Sequence, residues 1–313
     1  MANWNDLPME IKMMIIKEMP FETRTNLKMC SRSDRMMVQC IPLTFGDIKL
    51  WSGSQGWDIE VKRPDKSMLL KVNEWWGSNS LKVEFDGKSR VITYENDEEK
   101  EDIFNQYAYS LFATIFRTTN VTIENFDTNY EIPDDYLDAI NRPICTQIEM
   151  DYASAQDVVN YMYMFSTTIF DVKDTFTEHP SYDESDVVEI SEMIMNYDRF
   201  YLEMANDVND EQLMRFEGSI LYLGPSDVTS IGLNLFMKKI FAVDQYSERE
   251  NFSIKMKSRP YLNQLIEGIQ CVCCHVGWWS SCVKYKVAPG QYWYMAYSDE
   301  DWNIYLTKKR PDR

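Results

Sequence analysis

Residues 7–40 read LPMEIKMMIIKEMPFETRTNLKMCSRSDRMMVQC, and this stretch decides how the N-terminal part of the chain folds. Pro8 suits the first turn of a helix, because the N–H that proline lacks would have no helical partner there. Apolar side chains then recur every three or four residues, which predicts one apolar stripe along a helix; they are Ile11, Met14, Ile15 and Met19. Pro20 ends this helix, because the residue before a proline disfavours helical backbone angles.

Two shorter helices are predicted in the same stretch. The second covers Arg24–Cys30, and the third covers Arg32–Gln39 with Ser31 as its N-cap. Three helices in about 35 residues bury too little apolar surface to be stable alone. The surplus Met and Ile side chains therefore predict a surface that binds a partner protein. The alternative is an ordinary helical cap on a larger domain.

This order of elements over residues 1–45 resembles an F-box, the three-helix module that binds the Skp-family adaptor of a cullin–RING ubiquitin ligase. The resemblance implies that the adaptor, and through it a cullin, is a partner of this chain. It also implies a set of apolar anchors for the adaptor, namely Leu7, Pro8, Ile11, Ile15, Leu27 and Met29.

Composition limits what the rest of the 313 residues can do. Hydrophobic residues make up 44% of the chain, which excludes a disordered protein. The seven cysteines are thinly spread and odd in number, so we expect a reducing compartment, the cytoplasm or the nucleus. The net charge is −18, and residues 121–224 hold 23 acidic and 4 basic side chains. Such an acidic stretch disfavours nucleic acid and anionic membranes as partners, because their phosphates are repelled. A solvated acidic face and a face that attracts a basic partner remain open.

Residues 46–313 are expected to form a second domain of three regions. Residues 46–117 predict strands and then a helix over Ile103–Arg117, with Asp86-Gly87 as a hairpin turn. Residues 118–270 alternate short strands with helices, and residues 271–313 predict an aromatic β-hairpin cap around Pro289-Gly290. The predicted strands begin near Gly46, Trp57, Leu81, Arg90, Val121, Thr146, Thr168, Arg199, Ser219 and Phe252. The predicted helices are Asp134–Asn141, Ala155–Phe165, Asp186–Met195, Asp210–Phe216 and Ser226–Phe241.

The predicted fold class is therefore mixed α+β and α/β: a three-helix F-box, a strand-rich segment, and an irregular leucine-rich-repeat-like β/α domain. A doubly wound α/β domain would show the same alternation. Short connections favour parallel strands in either case.

A second resemblance lies in Leu233-Asn234-x-Phe236-x-Lys238 and the strand that follows it at Phe252. This segment is similar to the F-box-associated domain of nematode F-box proteins. The resemblance implies that the C-terminal domain recognises a protein target.

Candidates for chemistry are few, and neither catalysis nor a cofactor is expected. No nucleophile elbow, phosphate loop or dinucleotide fingerprint occurs, and Ser226 is expected to cap a helix. Thiolates and an imidazole suit zinc, so one cluster is a candidate zinc site: Cys271, Cys273, Cys274, His275 and Cys282. The simpler interpretation is that these cysteines are buried thiols. Trp278, Trp279 and Trp293 either close the C-terminal hairpin or anchor a target.

The predicted function is that of a non-catalytic substrate receptor in a Skp–cullin–F-box ubiquitin ligase. A non-degradative scaffold protein and a small zinc-binding or enzymatic C-terminal domain are the alternatives.

Overall fold

The computed structural model describes residues 4, 7–19, 21–52, 57–74, 79–151, 154–173, 189–190, 192–243, 251–274, 281–288, 291–298 and 302–308. The chain divides into two compact units. The first comprises Met1–Ile148 with Tyr163–Ser166, and the second comprises Glu149–Met162 with Thr167–Arg313. Both units contain helices and strands, which confirms a mixed α/β fold class.

Three helices open the first unit: α1 (Met9–Glu18), α2 (Phe21–Cys30) and α3 (Arg32–Gln39). The predicted N-cap of α3 is confirmed, because the Ser31 hydroxyl accepts a hydrogen bond of 3.0 Å from the backbone N–H of Asp34. Helix α2 begins three residues before its predicted start. The Arg24 side chain stabilises the corner between α1 and α2, since its Nε donates to the carbonyl oxygen of Met19 at 3.0 Å.

Six strands and one long helix complete most of the first unit. The strands are β1 (Leu43–Trp51), β2 (Asp58–Lys62), β3 (Met68–Glu74), β4 (Ser80–Phe85), β5 (Lys88–Thr93) and β6 (Val121–Thr128). Their order is β6-β1-β2-β3-β4-β5, with β1 and β6 parallel and the other pairs antiparallel. The predicted hairpin at Asp86-Gly87 is confirmed, and both residues have positive φ, as a type I′ turn requires. The sequence prediction missed β3.

Helix α4 (Asp97–Arg117) connects β5 to β6, and its buried side chains form part of the core of this unit. It begins six residues before its predicted start, because Asn96 caps it and three acidic residues occupy its first turn, where the helix dipole favours them. Phe104, Phe112 and Phe116 are buried on one face of α4. Phe112 packs against Phe126 of β6 at a ring distance of 6.5 Å.

The remaining elements alternate strands with helices, as predicted. They are β7 (Ile144–Asp151), α5 (Ala155–Met164), β8 (Ser166–Lys173), β9 (Arg199–Leu202), α6 (Asp210–Arg215), β10 (Ile220–Ser226), α7 (Ser230–Val243), β11 (Asn251–Met256) and α8 (Leu262–Leu265). Strands β8, β9, β10 and β11 pair in this order and all in parallel, which confirms the prediction of parallel strands. The leucine-rich-repeat-like character stays a prediction.

The C-terminal hairpin is confirmed as a structural element. It consists of β13 (Ser281–Ala288) and β14 (Gln291–Tyr297), which pair antiparallel between β12 (Cys271–Cys274) and β15 (Asn303–Thr307). Strand β15 also pairs antiparallel with β11, so the hairpin extends the parallel strands of the second unit.

Two of the predicted helices are not found as α-helices in the described residues. The helix predicted over Asp134–Asn141 is wrong, because only a 3-10 turn at Asp134–Tyr136 forms. The buried Tyr136 ring packs against Phe116 at 5.8 Å, and this tertiary contact overrides a weak local preference. The helix predicted over Asp186–Met195 lies partly outside the described residues, and its described end holds a 3-10 turn at Ile194–Asn196.

The predicted capping role of Ser226 is also wrong. Ser226 is the last residue of β10, and its hydroxyl donates to the carbonyl oxygen of Lys255 at 3.0 Å. Helix α7 begins later, where the hydroxyl of Thr229 accepts from the N–H of Gly232 at 3.1 Å. The strand pairing of β10 with β11 holds Ser226 extended, so the capping position moves along the chain.

Candidate functional site

The three N-terminal helices have an apolar interior of their own. Four buried side chains form it, namely Ile16, Met37, Val38 and Ile41. Four half-buried side chains pack against these residues, namely Trp4, Met13, Met19 and Leu27. The predicted stripe of α1 therefore needs correction: it omitted Ile16, which is fully buried, and Met13, which packs on this interior with Met19.

A polar network fixes the start of α3 beside this interior. The Asp34 carboxylate accepts a hydrogen bond of 2.9 Å from the indole N–H of Trp4 and one of 2.7 Å from the Ser31 hydroxyl. These two hydrogen bonds lower the pKa of Asp34 below its ordinary value, and the charge of Lys12 adds to the effect. The sequence prediction gave Trp4 no role, because Trp4 lies 30 residues from its partner.

The same helices also expose large apolar side chains. Among the described residues of α1–α3, these are Met9, Ile11, Met14, Ile15, Met29 and Met36. Met14 is 66% exposed and Met29 is 80% exposed. Exposed large apolar side chains are typical of surfaces that bind a protein partner. We call these six side chains the outward apolar surface.

The predicted anchors fall into two groups in the structure. Ile11, Ile15 and Met29 lie on the outward apolar surface, and Pro8 is exposed just before α1. Leu7 and Leu27 are half-buried, and Leu27 packs against the interior instead of protruding. The structure therefore exposes three of the predicted anchors and, in addition, Met9, Met14 and Met36.

The N-terminal helices therefore form a small module with an apolar interior and exposed apolar side chains. Comparison with protein-family models identifies this module, because residues 4–45 match the F-box domain. No curated protein and no solved structure matches the chain. The match supports an F-box protein, and an F-box domain generally implies binding to a Skp-family adaptor, association with a cullin, and a substrate-receptor role. F-box proteins are generally non-catalytic adaptors.

The predicted aromatic target anchors are placed differently. Trp278 and Trp279 lie outside the described residues. Trp293 of β14 is only 1% exposed, and its ring lies 5.8 Å from that of Phe252 and 6.2 Å from that of Phe241. This burial favours the interpretation of Trp293 as part of the closing hairpin.

Four of the five zinc candidates lie on two neighbouring strands. Cys271, Cys273 and Cys274 belong to β12, and Cys274 pairs in register with Cys282 of β13. His275 lies outside the described residues, so the zinc hypothesis stays a prediction. In the part of the chain that the structure describes, no three His, Cys, Asp or Glu side chains form a group that could hold a metal ion. The described helices also include none with the length and apolar character needed to span a membrane.

Proposed function

We propose that the outward apolar surface binds a Skp-family adaptor and that residues 46–313 present a protein target to the ubiquitin ligase assembled on that adaptor. The chain would then act by proximity: it holds the target near the transfer enzyme and raises the local concentration of the two reactants. Catalysis would belong to the partner enzymes.

The observation that carries this proposal is the separation of two apolar faces on the same helices. Ile16, Met37 and Val38 are buried in the interior, while Met14 and Met29 are largely exposed. An isolated module of this size cannot bury the exposed side chains itself, so a partner surface is needed to remove them from water. The F-box match over residues 4–45 supplies the class of partner.

For the C-terminal part, we propose a target-recognition domain of the F-box-associated type. The support is the likeness of the Leu233–Lys238 segment, which the structure locates in α7, to that family. We propose the cytoplasm or the nucleus as the site of action, because thinly spread cysteines suit a reducing compartment.

A pull-down with purified Skp-family adaptor tests the adaptor contact. The test variant combines Pro8→Ala with Ile15→Asp, which places a charge on the outward apolar surface. The matched control is Ile140→Asp, because Ile140 is 97% exposed and lies outside residues 4–45. We expect the wild type and the control to recover the adaptor and the double variant to lose it. Failure of the wild type to recover any adaptor would falsify the proposal.

A second readout separates the ligase role from a scaffold role. The recovered complex is probed for a cullin and for transfer of ubiquitin to co-purified proteins. Adaptor recovery without a cullin would favour the non-degradative scaffold over the ligase receptor.

A further inference from the structure

A polar cavity of about 400 Å³ lies within the first unit, and its lining includes none of the six side chains of the outward apolar surface. Three groups of residues form its wall: one face of α4, residues 129–134 after β6, and Ser52 and Trp57 next to the ends of β1 and β2. Its charged and aromatic lining residues are Trp57, Glu101, Tyr109, Tyr130, Glu131 and Asp134. The cavity size falls within the usual range of small-ligand sites, roughly 300–1,000 Å³.

The sheet topology explains why a cavity forms at this place. Strands β1 and β6 are parallel neighbours, and their carboxyl ends meet in register, with Leu50 opposite Thr128. Ser52 and Asn129 follow directly after these ends. In open α/β sheets, ligands bind in the crevice outside the carboxyl ends of parallel strands, because the chain turns away from the sheet there.

Hydrogen bonds hold the wall in position. The Asn129 side chain accepts from the N–H of Ser52 at 2.8 Å and donates to the carbonyl oxygen of Ser52 at 2.7 Å. The Tyr130 hydroxyl donates to the Asn105 side-chain oxygen on α4. The three groups of residues are therefore linked to each other before any ligand arrives, which lowers the ordering cost of binding.

The lining is negatively charged and aromatic. Glu101, Glu131 and Asp134 are exposed at the cavity and, within the described part of the chain, make no ion pair. No lysine, arginine or histidine belongs to the described lining. Burial is the main cause that raises the pKa of Tyr130 to about 12, and the negative charges of Glu101 and Glu131 add to it. Tyr109 is 43% exposed, so part of its ring is open to a ligand.

One lysine of the chain lies close to this lining without neutralising it. Lys100 Nζ is 5.8 Å from the centre of the Trp57 ring. Its ammonium group pairs with Asp97 at 3.2 Å and with Glu74 at 3.6 Å, and neither of these carboxylates lines the cavity. The three lining carboxylates are therefore left for a cation from outside the chain.

We infer that this cavity binds a cationic group, an alkylammonium, with the carboxylates as counter-charges and the ring of Tyr109 as its aromatic contact. Carboxylates attract such a cation by charge, and aromatic faces attract it through their quadrupole. Residues 118–141 contain six acidic and no basic side chains, so the surrounding field also attracts cations. The cation could come from a lysine side chain of a basic protein segment or from a free polyamine.

Isothermal titration of the full chain at low ionic strength tests this inference. The first probe is the peptide acetyl-(Gly-Lys-Ser)₃-amide, and its matched control is the same peptide with every lysine Nε-acetylated. The second probe is spermidine. We expect wild-type protein to bind the lysine peptide or spermidine and to bind the acetylated peptide at least about tenfold more weakly, because acetylation removes the charge.

Two isosteric triple variants locate the binding. The cavity variant combines Glu101→Gln, Glu131→Gln and Asp134→Asn. The control variant removes the same charge from exposed acidic residues outside the lining and combines Glu98→Gln, Asp102→Asn and Asp135→Asn. We expect the cavity variant to bind the cation about tenfold more weakly and the control variant to stay within about twofold of wild type, since each exposed charge pair contributes little alone. Thermal melting of each variant verifies folding.

The two probes distinguish the possible sources of the cation. Peptide binding without spermidine binding identifies a protein segment as the source, and the reverse identifies a polyamine. An absence of binding by both cations, equal binding of the acetylated peptide, or an equal loss in both triple variants would overturn the inference. Adaptor binding plays no part in this experiment, so its result is independent of the proposed function.

Discussion

Helix α1 has buried and exposed apolar side chains, and alanine substitution of one or the other should change the stability of the three helices by different amounts. Ile16 is 0% exposed, so Ile16→Ala removes three buried carbons. At about 0.8 kcal/mol per carbon, the lost transfer free energy is about 2.4 kcal/mol. The cavity left in the small interior raises the expected loss of stability to about 2–4 kcal/mol. Met14→Ala is the matched control on the outward face, and we expect it to change stability by less than about 0.5 kcal/mol.

Hydrogen exchange followed by mass spectrometry measures this difference locally, in peptides that cover residues 9–41. A loss of about 3 kcal/mol accelerates amides that exchange through opening of the three helices by about 100-fold. Met14→Ala should leave their exchange almost unchanged and weaken adaptor binding, because Met14 belongs to the outward apolar surface. Equal acceleration in both variants, or none in Ile16→Ala, would refute the assignment of the two faces.

Three further predictions concern the rest of the chain. Gly224→Ala should lower the free energy of unfolding by about 1–3 kcal/mol, because an added Cβ would lie 2.1 Å from the carbonyl oxygen of Glu203; chemical denaturation measures it. Lys239→Met should cost about 1–3 kcal/mol in the same assay, because the Lys239 ammonium donates to the carbonyl oxygens of Met214 and Phe216 at the C-terminal end of α6, whereas Lys238→Met should cost much less. Tyr130 has its folded pKa raised to about 12 from 10.0, so its contribution to stability is present below pH 10 and is lost as the pH rises through about 12. Alkaline denaturation of Tyr130→Phe should therefore show a smaller loss over this range, and an identical alkaline curve would contradict the shift.

The candidate adaptor surface could be predicted in part from the sequence. Ile11, Ile15 and Met29 were predicted as anchors and are exposed in the structure. Ile16 was missed because consecutive apolar residues on one helix point about 100° apart, so a spacing rule cannot tell the inward face from the outward one. The hydrogen bond from Trp4 to Asp34 could not be predicted, because no local pattern links residues 30 positions apart.

The acidic cavity could not be predicted from the sequence. The sequence shows the excess of negative charge after residue 121, but it does not show which carboxylates line the same cavity. Ser52 and Asn129 meet across 77 positions, and Asn105 and Tyr130 meet across 25. Such contacts follow from the parallel pairing of β1 with β6, and a strand's alternation of apolar and polar residues is compatible with many partners.

The sequence by itself determined the local elements of this protein. Helical periodicity and Pro20 set the first helix, the Ser31 cap set the third, and Asp86-Gly87 set the hairpin, because each signal acts through backbone angles within a few residues. Only the tertiary structure decided which strands pair, that Ser226 ends a strand, and that Tyr136 is buried where a helix was expected. These choices depend on contacts between distant parts of the chain, whose free energy exceeds the small local preferences that a sequence pattern expresses.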